Sequence, residues 1–321
     1  MQVFRGIHHA ALDSPSAISI GNFDGVHRGH QAMLALLVSE ARHRALVPCA
    51  LTFEPHPRDY FARMRGGEAP PRIATLRDKL EELQRCGIER VVVLRFDAAL
   101  AALAAEDFVH HVLVEGLSAR YVLVGDDFRF GARRAGDYAM LDRLGMQLGF
   151  DVARMNAYEV HARRVSSSAL REALAAGDMA QARALQDRAY AISGRVVHGR
   201  KLGRALGFPT LNMRFAHPHP AAQGIFVVRV HGLGEHALRG VASLGRRPSV
   251  DDQGQVLLET HLLDWSGDAY GKLVRVELLH KLRDEARYDT LEALTEAIAA
   301  DVAAARDWFA RHEPHDRCSR I

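Results

Sequence analysis

Cysteine, tryptophan and long apolar runs are all scarce in this 321-residue chain, which holds 3 Cys and 2 Trp. Cys49, Cys86 and Cys318 are odd in number and far apart, with no Cys-x-x-Cys spacing, so neither a disulfide framework nor a zinc site is supported. The histidine spots His8-His9, His110-His111 and His217-Pro-His219 lack partner ligands at metal spacing. No apolar run approaches the roughly 18 residues that span a bilayer, and Met1 to Pro15 lacks the apolar centre of a secretory signal. A cytoplasmic protein without a membrane partner is expected. Neither sign of charge prevails: 42 Lys and Arg stand against 39 Asp and Glu, a net +3, with no basic run, so nucleic acid is not an expected partner. What remains is an ordinary globular composition, 48% apolar and 25% charged, long enough for two domains with separate cores. Self-association is left open, as a weak homo-oligomer at most.

Against this plain background, residues 21 to 30 stand out: Gly21-Asn-Phe-Asp-Gly-Val-His-Arg-Gly-His30. Ala17 to Ile20 before it reads as a buried strand, and Met33, Leu34, Leu37, Val38 and Ala41 after it recur at helical spacing, so a turn joins strand to helix. Free amide N–H groups and the positive end of the helix dipole converge there, which suits a triphosphate. Gly21 and Gly25 remove side chains that would hold a nucleotide away from the backbone, with Phe23 and Asp24 between them. His27 and His30, three residues apart, share one face of the first helical turn and can address the same phosphate. No Gly-Lys-Ser/Thr follows, so this is not the Walker pattern. A solvated or core-satisfied histidine pair is the bland alternative, and the flanking glycines, strand and apolar helix weigh against it.

The first half of the chain alternates strands (Ala45 to Phe53, Glu89 to Phe96, Tyr121 to Val124) with helices (Leu76 to Cys86, Ser168 to Ala176). That alternation predicts a doubly wound α/β domain with ligands beyond the carboxyl ends of the strands. Beyond Tyr190 the pattern changes to strand-like runs at Ile192 to Val197, Gly224 to Val230, Val241 to Leu244, Val256 to Leu263 and Leu273 to Leu279, with no helix between them. A small antiparallel β-barrel is expected, closed by a C-terminal helix capped by Asp289 and burying Leu291, Leu294, Ile298, Val302, Ala305 and Phe309. The expected domains are 1–185 and 186–311, followed by a loose tail, 312–321.

Three further segments of the first domain carry candidate chemistry. Phe53-Glu-Pro-His-Pro57 is a stiff loop after a strand, where Phe53 and His56 can line a ring-binding pocket; a plain proline turn is the alternative. Gly125-Asp-Asp-Phe-Arg-Phe-Gly131 offers Asp127 and the Phe128 ring at another strand end; a plain loop with core aromatics is the alternative. Ser166, Ser167 and Ser168 open a helix whose first turn carries Arg171; capping is the sober account, and a clamp for phosphates is the functional one.

In the second domain Gly194, Gly199, Lys201, Gly203 and Arg204 bring backbone access and positive charge into one glycine-rich stretch; a purely structural glycine-rich turn is the alternative. Thr210 and Asn212, two apart in an extended segment, face one side and can hold Mg²⁺ together. Glu259 is a carboxylate on a strand, which by itself reads as a surface residue.

Together these motifs resemble a known family. Residues 21 to 30 resemble the His-x-Gly-His signature of nucleotidylyltransferases, and in their full length the bacterial bifunctional riboflavin kinase/FAD synthetases. Val165-Ser-Ser-Ser-Ala-Leu-Arg171 is similar to that family's Ile-Ser-Ser-Thr-x-Ile-Arg, and Pro209-Thr-Leu-Asn212 to its Pro-Thr-Ala-Asn. Gly245 to Val250, Leu258 to Asp264, Tyr270-Gly271 and Leu282 to Glu285 continue the match in order. The resemblance implies ATP, riboflavin and FMN as substrates with Mg²⁺. The barrel would phosphorylate riboflavin, and the first domain would adenylylate FMN. It implies ATP contacts from Gly21, Phe23, Asp24, Gly25, His27, His30, Gly125, Asp127, Ser166, Ser167, Ser168 and Arg171. In the kinase it implies ATP contacts from Gly194, Gly199, Lys201, Gly203, Arg204 and Thr210, metal contacts from Thr210 and Asn212, and Glu259 as general base. Flavin contacts are expected from Phe53, His56, Phe128 and Arg283. With no Cys or Ser paired to an activating base, no covalent intermediate is expected. The rival readings are an adenylyltransferase for another acceptor with a non-catalytic barrel, and a nucleic-acid-binding regulator.

Overall fold

Ser16–Ile20 is buried at all five positions, and a strand without a wet face belongs inside a sheet covered on both sides. In the computed structural model this strand, β2, lies within a six-stranded sheet. Its companions are β1 (Gln2–Arg5), β3 (Val47–Glu54), β4 (Arg90–Arg95), β5 (Ala119–Gly125) and β6 (Asp151–Met155). The order is β1-β4-β3-β2-β5-β6 and every pair is parallel. The structure describes residues 1–156, 158–160, 163–199, 202–215, 217, 219–246 and 256–313. Lys201, residues 247–250 and the expected tail beyond 313 lie outside the described residues.

Contacts divide the chain into two units: Met1–Pro70 with Lys79–Ser167, and Pro71–Asp78 with the chain from Ser168 onward. The first holds the parallel sheet, and α1 (Arg28–His43) lays Met33, Leu34, Leu37, Val38 and Ala41 against it, the stripe its spacing predicts. Around the sheet run α2 (Pro57–Met64), α3 (Leu76–Arg85), α4 (Ala98–Ala102), α5 (Ala105–Asp107) continuing into a wide helical stretch Phe108–Glu115, and α6 (Tyr138–Leu148). Ile18, Leu51, Val92 and Val122 of the strands meet Val109, Leu113 and Leu141 of the helices in one apolar core. The edge strands β1 and β6 carry too few apolar residues to be read from sequence; pairing alone makes them strands. A two-stranded ribbon, β7 (Glu159–Val160) and β8 (Arg163–Arg164), precedes α7 (Ser167–Ala176).

In the second unit α8 (Met179–Gln186) leads into a closed antiparallel barrel. Its strands are β9 (Tyr190–Val197), β10 (Thr210–Phe215), β11 (Gly224–His231), β12 (Leu238–Arg246), β13 (Val256–Leu262) and β14 (Leu273–Arg283), ordered β10-β13-β12-β11-β14-β9. The expectation of strands without a helix between them needs correction, because a short helix, α9 (Leu202–Ala205), sits before β10. The closing helix, α10 (Leu291–His312), is capped by Thr290 rather than Asp289: Thr290 has the extended backbone of a cap, and its Oγ1 accepts the Ala293 N–H at 3.2 Å. Only the later part of the expected stripe is buried. Ala305 and Phe309 pack with Ile225, Val227, Val241 and Leu263, while Leu291 is 54% exposed. The helix therefore covers the outer face of β11, β12 and β14. On β13, Val256, Leu258, Thr260 and Leu262 point inward, which sends Leu257, Glu259 and His261 to the outer wall.

Candidate functional sites

Strand β2 pairs with β3 on one side and β5 on the other, so the order of the chain reverses between β2 and β5. Ligands of open α/β sheets bind in the crevice at such a point, beyond the carboxyl ends of the strands. The turn after Ile20 and the segment after Gly125 both start there.

The turn is tightly wound. Phe23, Gly25 and Val26 have φ of 46°, 86° and 37°, a region only glycine enters readily. Two non-glycine residues held there mark a backbone whose shape the surroundings impose. Gly21 serves the turn itself: a Cβ there would come within 3.0 Å of the fully buried Phe23 ring. Asp24 is buried, and its carbonyl accepts the Ser167 hydroxyl at 3.2 Å, tying the start of α7 to the turn.

His27 caps α1, its Nδ1 accepting the His30 N–H at 3.3 Å, which places the Nε2 proton on the far side of the ring. The two imidazoles stack with centroids 3.7 Å apart and planes 17° off parallel, and Phe23 meets His30 edge-on at 5.3 Å. His30 Nδ1 is buried without a hydrogen-bond partner. Burial above all, then His27 and Lys79, holds His30 well below its usual 6.5, so this ring is a neutral imidazole at neutral pH.

Lys79 escapes a motif search. It is fully buried on α3, with Nζ 3.4 Å from both Thr52 Oγ1 and Glu54 Oε1 of β3. A signal was present: Leu76 and Leu83 stand three before and four after it, so the lysine falls on the helix's apolar face.

The aromatic expectations separate. Phe53 meets Phe96 edge-on at 5.9 Å, and Phe96 in turn touches Tyr60 and Phe61, building an aromatic group beyond β3 and β4. His56 is buried and caps α2, its Nδ1 accepting the Arg58 N–H at 3.2 Å. Phe128 stacks on Phe130, 5.4 Å away, and packs against the apolar core. Asp127 is 81% exposed, 3.7 Å from Arg164, whose guanidinium also binds Asp126 at 3.2 Å. Ser166 and Ser167 belong to the first unit with the turn; Ser168 and Arg171 belong to the second, where Arg171 Nε donates to the Pro71 carbonyl at 2.7 Å.

On the barrel, strand register builds a second polar cluster. Asn212 pairs with Glu259, and Glu259 with Ser243, so the three side chains share one row on the outer wall of β10, β13 and β12. Thr210 and its partner His261 lie one row along. Asn212 is buried with its Oδ1 lacking a hydrogen-bond partner. Gly199 makes that possible: a Cβ there would stand 2.6 Å from the Asn212 amide. A Cβ at Gly203 would stand 2.4 Å from the Phe208 carbonyl, so this glycine serves close backbone packing, whereas at Gly194 it would make ordinary contact with the Met213 side chain; Arg204 sits on α9. The loop residue that reaches this row is Glu285, which accepts the Ser243 hydroxyl at 2.9 Å. Arg283 turns elsewhere: it grips Asp301 of α10 through Nε (2.8 Å) and an Nη (2.6 Å), and its other Nη donates to the Asp284 carbonyl.

The sequence comparisons fall on the same two regions. The FAD synthetase family matches residues 9–169 and the riboflavin kinase family residues 186–309. The bifunctional riboflavin kinase/FMN adenylyltransferase of Escherichia coli K12 is 44% identical, covering 98% of this chain and 100% of that protein. The enzyme of the same description from Haemophilus influenzae is 40% identical over 96% of this chain and 99% of its own. A solved structure described as a macrolide-efflux protein of Streptococcus pneumoniae has TM-score 0.76 at 25% identity, covering 96% of this chain and 100% of that one. With a parallel-sheet domain followed by a closed barrel, and with both family matches in that order, the chain belongs to the bifunctional riboflavin kinase/FMN adenylyltransferases, which make FMN from riboflavin and FAD from FMN.

Proposed function

We propose that the turn at residues 21–30 is the adenylyl-transfer site and the outer wall at Thr210, Asn212 and Glu259 the kinase site, with the catalytic division of the chain at residues 185 and 186. The observation that carries the first assignment is the stacked His27–His30 pair at a helix N-terminus on the switch point of the sheet. The α1 amides and both imidazoles receive the phosphates of ATP, with Gly25 shaping the turn and Gly125 and Asp127 at the neighbouring strand end. A phosphate oxygen of FMN attacks the α-phosphorus, and the bond to pyrophosphate breaks as the new bond forms. The histidines donate to the phosphate oxygens as charge moves onto pyrophosphate. Phe53, His56 and Phe128 lie beyond or beside strand ends of the same unit and take the flavin ring. Ser166, Ser167, Ser168 and Arg171 take their phosphate role from the resemblance to Ile-Ser-Ser-Thr-x-Ile-Arg.

In the barrel, Glu259 accepts the proton of the riboflavin primary hydroxyl as that oxygen attacks the γ-phosphorus of ATP, and the bond from the γ-phosphorus to the departing ADP breaks as the new bond forms. Gly194, Gly199, Lys201, Gly203 and Arg204 supply the nucleotide side of this site, and Arg283 supports the flavin side from its place between β14 and α10. The buried, unpartnered Asn212 Oδ1 and the Thr210 hydroxyl are hard oxygen donors of the kind Mg²⁺ takes. When bound, Mg²⁺ would neutralise charge on the β- and γ-phosphates. No helix among the described residues is long and apolar enough to cross a membrane, and we place the enzyme in the cytoplasm, acting on small molecules rather than nucleic acid or membranes.

The experiment incubates the protein with riboflavin, ATP and Mg²⁺ and separates the flavins chromatographically; FMN and then FAD are expected. His30→Ala should stop FAD formation. Glu259→Ala should stop FMN formation while sparing FAD made from supplied FMN. An unimpaired His30→Ala would refute the first assignment, and an unimpaired Glu259→Ala the second.

A further inference from the structure

A fully buried lysine is rare, because removing an ammonium from water is costly unless charge partners or function compensate. Lys79 is such a residue. Its Nζ stands 3.4 Å from Glu54 Oε1, longer than the roughly 2.7–2.9 Å of a tight ammonium–carboxylate bond, and that carboxylate is itself 25% exposed. The same Nζ donates to Thr52 Oγ1 at 3.4 Å, and Thr52 Oγ1 donates to the Asn22 carbonyl at 3.4 Å. A chain of hydrogen bonds therefore runs from α3 through β3 to the first peptide of the turn whose next residues carry positive φ.

Two buried polar atoms at that turn, Asn22 Oδ1 and His30 Nδ1, have no hydrogen-bond partner. Triphosphate and pyrophosphate are polyanions, and a buried cation beside their site is worth more than a solvated one because the low-dielectric surroundings screen it less.

We propose that Lys79 is a positioning residue for adenylyl transfer, fixing the Asn22 end of the turn through Thr52 and setting a positive charge near the histidine pair. The proposal rests on residues 21–30 being the adenylyl-transfer site. Among the described residues, the groups whose charge acts on His30 are His27 from the start of its own helix and Lys79 from α3, and Lys79 is in turn paired to Glu54 from β3. Lys79 acts on His30 in the same direction as burial, against protonation.

Lys79→Met keeps the length of the side chain and removes the charge. Its FMN adenylyltransferase kcat is expected to fall about 100-fold, the scale of losing one preorganised electrostatic group. The acid-side decline of that activity should also move to higher pH, because His30 protonates more easily without the cation. Riboflavin kinase activity of the same protein is expected within about twofold of the parent, and an unchanged far-UV circular dichroism spectrum reports that the first unit is folded as well. Lys79→Arg should recover part of the rate and restore the parental pH profile.

Thr52→Val, which leaves the charge and cuts the link to Asn22, should raise the KM for ATP without moving the pH profile, and it carries the test should Lys79→Met fail to fold. Adenylyl transfer by Lys79→Met within twofold of the parent with an unmoved acid limb, or by Thr52→Val with an unmoved KM, overturns the proposal. His30→Ala is assayed in parallel: if it retains full activity, the site assignment is what fails, and if it is inactive while Lys79→Met is unimpaired, only the role of Lys79 is lost.

Discussion

His27 and His30 lie ring over ring, 3.7 Å between centroids, while the first ring's Nδ1 receives the backbone N–H of the second residue at 3.3 Å. One imidazole is thus given two jobs, closing the end of α1 and, in the proposed site, meeting a phosphate. The two jobs can be separated by substitution. His27→Ala loses both; His27→Asn restores the cap, since asparagine is among the best capping residues. The asparagine variant should regain about 1 kcal/mol of stability over alanine, read by urea unfolding, yet make FAD no faster. Recovery of activity by asparagine would mean that capping, and not imidazole chemistry, is what His27 provides.

His30 links stability to pH. The fold holds it well below its usual 6.5, so the unfolded chain takes up the proton more readily than the folded one. Stability from the neutral ring is therefore complete above about pH 6.5 and drains away as pH falls below it. His30→Asn removes that dependence. Between about pH 7 and 5 the Tm of the parent should drop more than that of the variant, and equal drops would show that the ring is not held neutral.

In the proposed kinase site, Gly199 is a lever on riboflavin phosphorylation alone. A methyl group at this position would press on the Asn212 amide from 2.6 Å, closer than Cβ contacts occur, and would push Asn212 away from Thr210. Gly199→Ala is expected to cut riboflavin phosphorylation at least tenfold, since displacing a positioned group by about 1 Å can cost about 100-fold. FAD formation from supplied FMN should be unchanged. Equal loss of both activities would point to unfolding instead.

Arg283 and Asp301 form a two-pronged pair between the end of β14 and α10, and the pairing raises the arginine's already high pKa. Arg283→Met and Asp301→Asn should each cost about 1–3 kcal/mol in denaturant unfolding, with the double variant losing less than the sum. An increase in riboflavin KM confined to Arg283→Met, with little change in stability, would make the guanidinium a flavin contact in the first place.

The motif at residues 21–30 was legible because its signals are local: glycines at a turn, a histidine spacing that matches helix geometry, an apolar strand before and an apolar stripe after. The buried parallel strands and the alternating strands of the barrel were legible for the same reason, since the period of apolar residues reflects which faces meet water. The cap of α10 was misread by one residue. Asp289 and Thr290 are both good caps, and only the backbone path decides which one has the extended conformation. Leu291 was misread as core because the helix begins before it reaches the barrel's apolar face.

What the sequence determined by itself is the class of each domain and the residue types present at each proposed site, because both depend on composition and short-range spacing. What tertiary structure alone decided is neighbourhood. Lys79, Thr52 and Asn22 are joined by hydrogen bonds from a helix through a strand to a turn, across 57 residues of chain, which no local pattern encodes. Asn212, Glu259 and Ser243 share a row only through the register of three strands, and a slip of one residue would send each to the other face. Arg283 met Asp301 rather than the outer wall because α10 packs beside the end of β14, so its partner was set by the docking of a helix and not by its own motif.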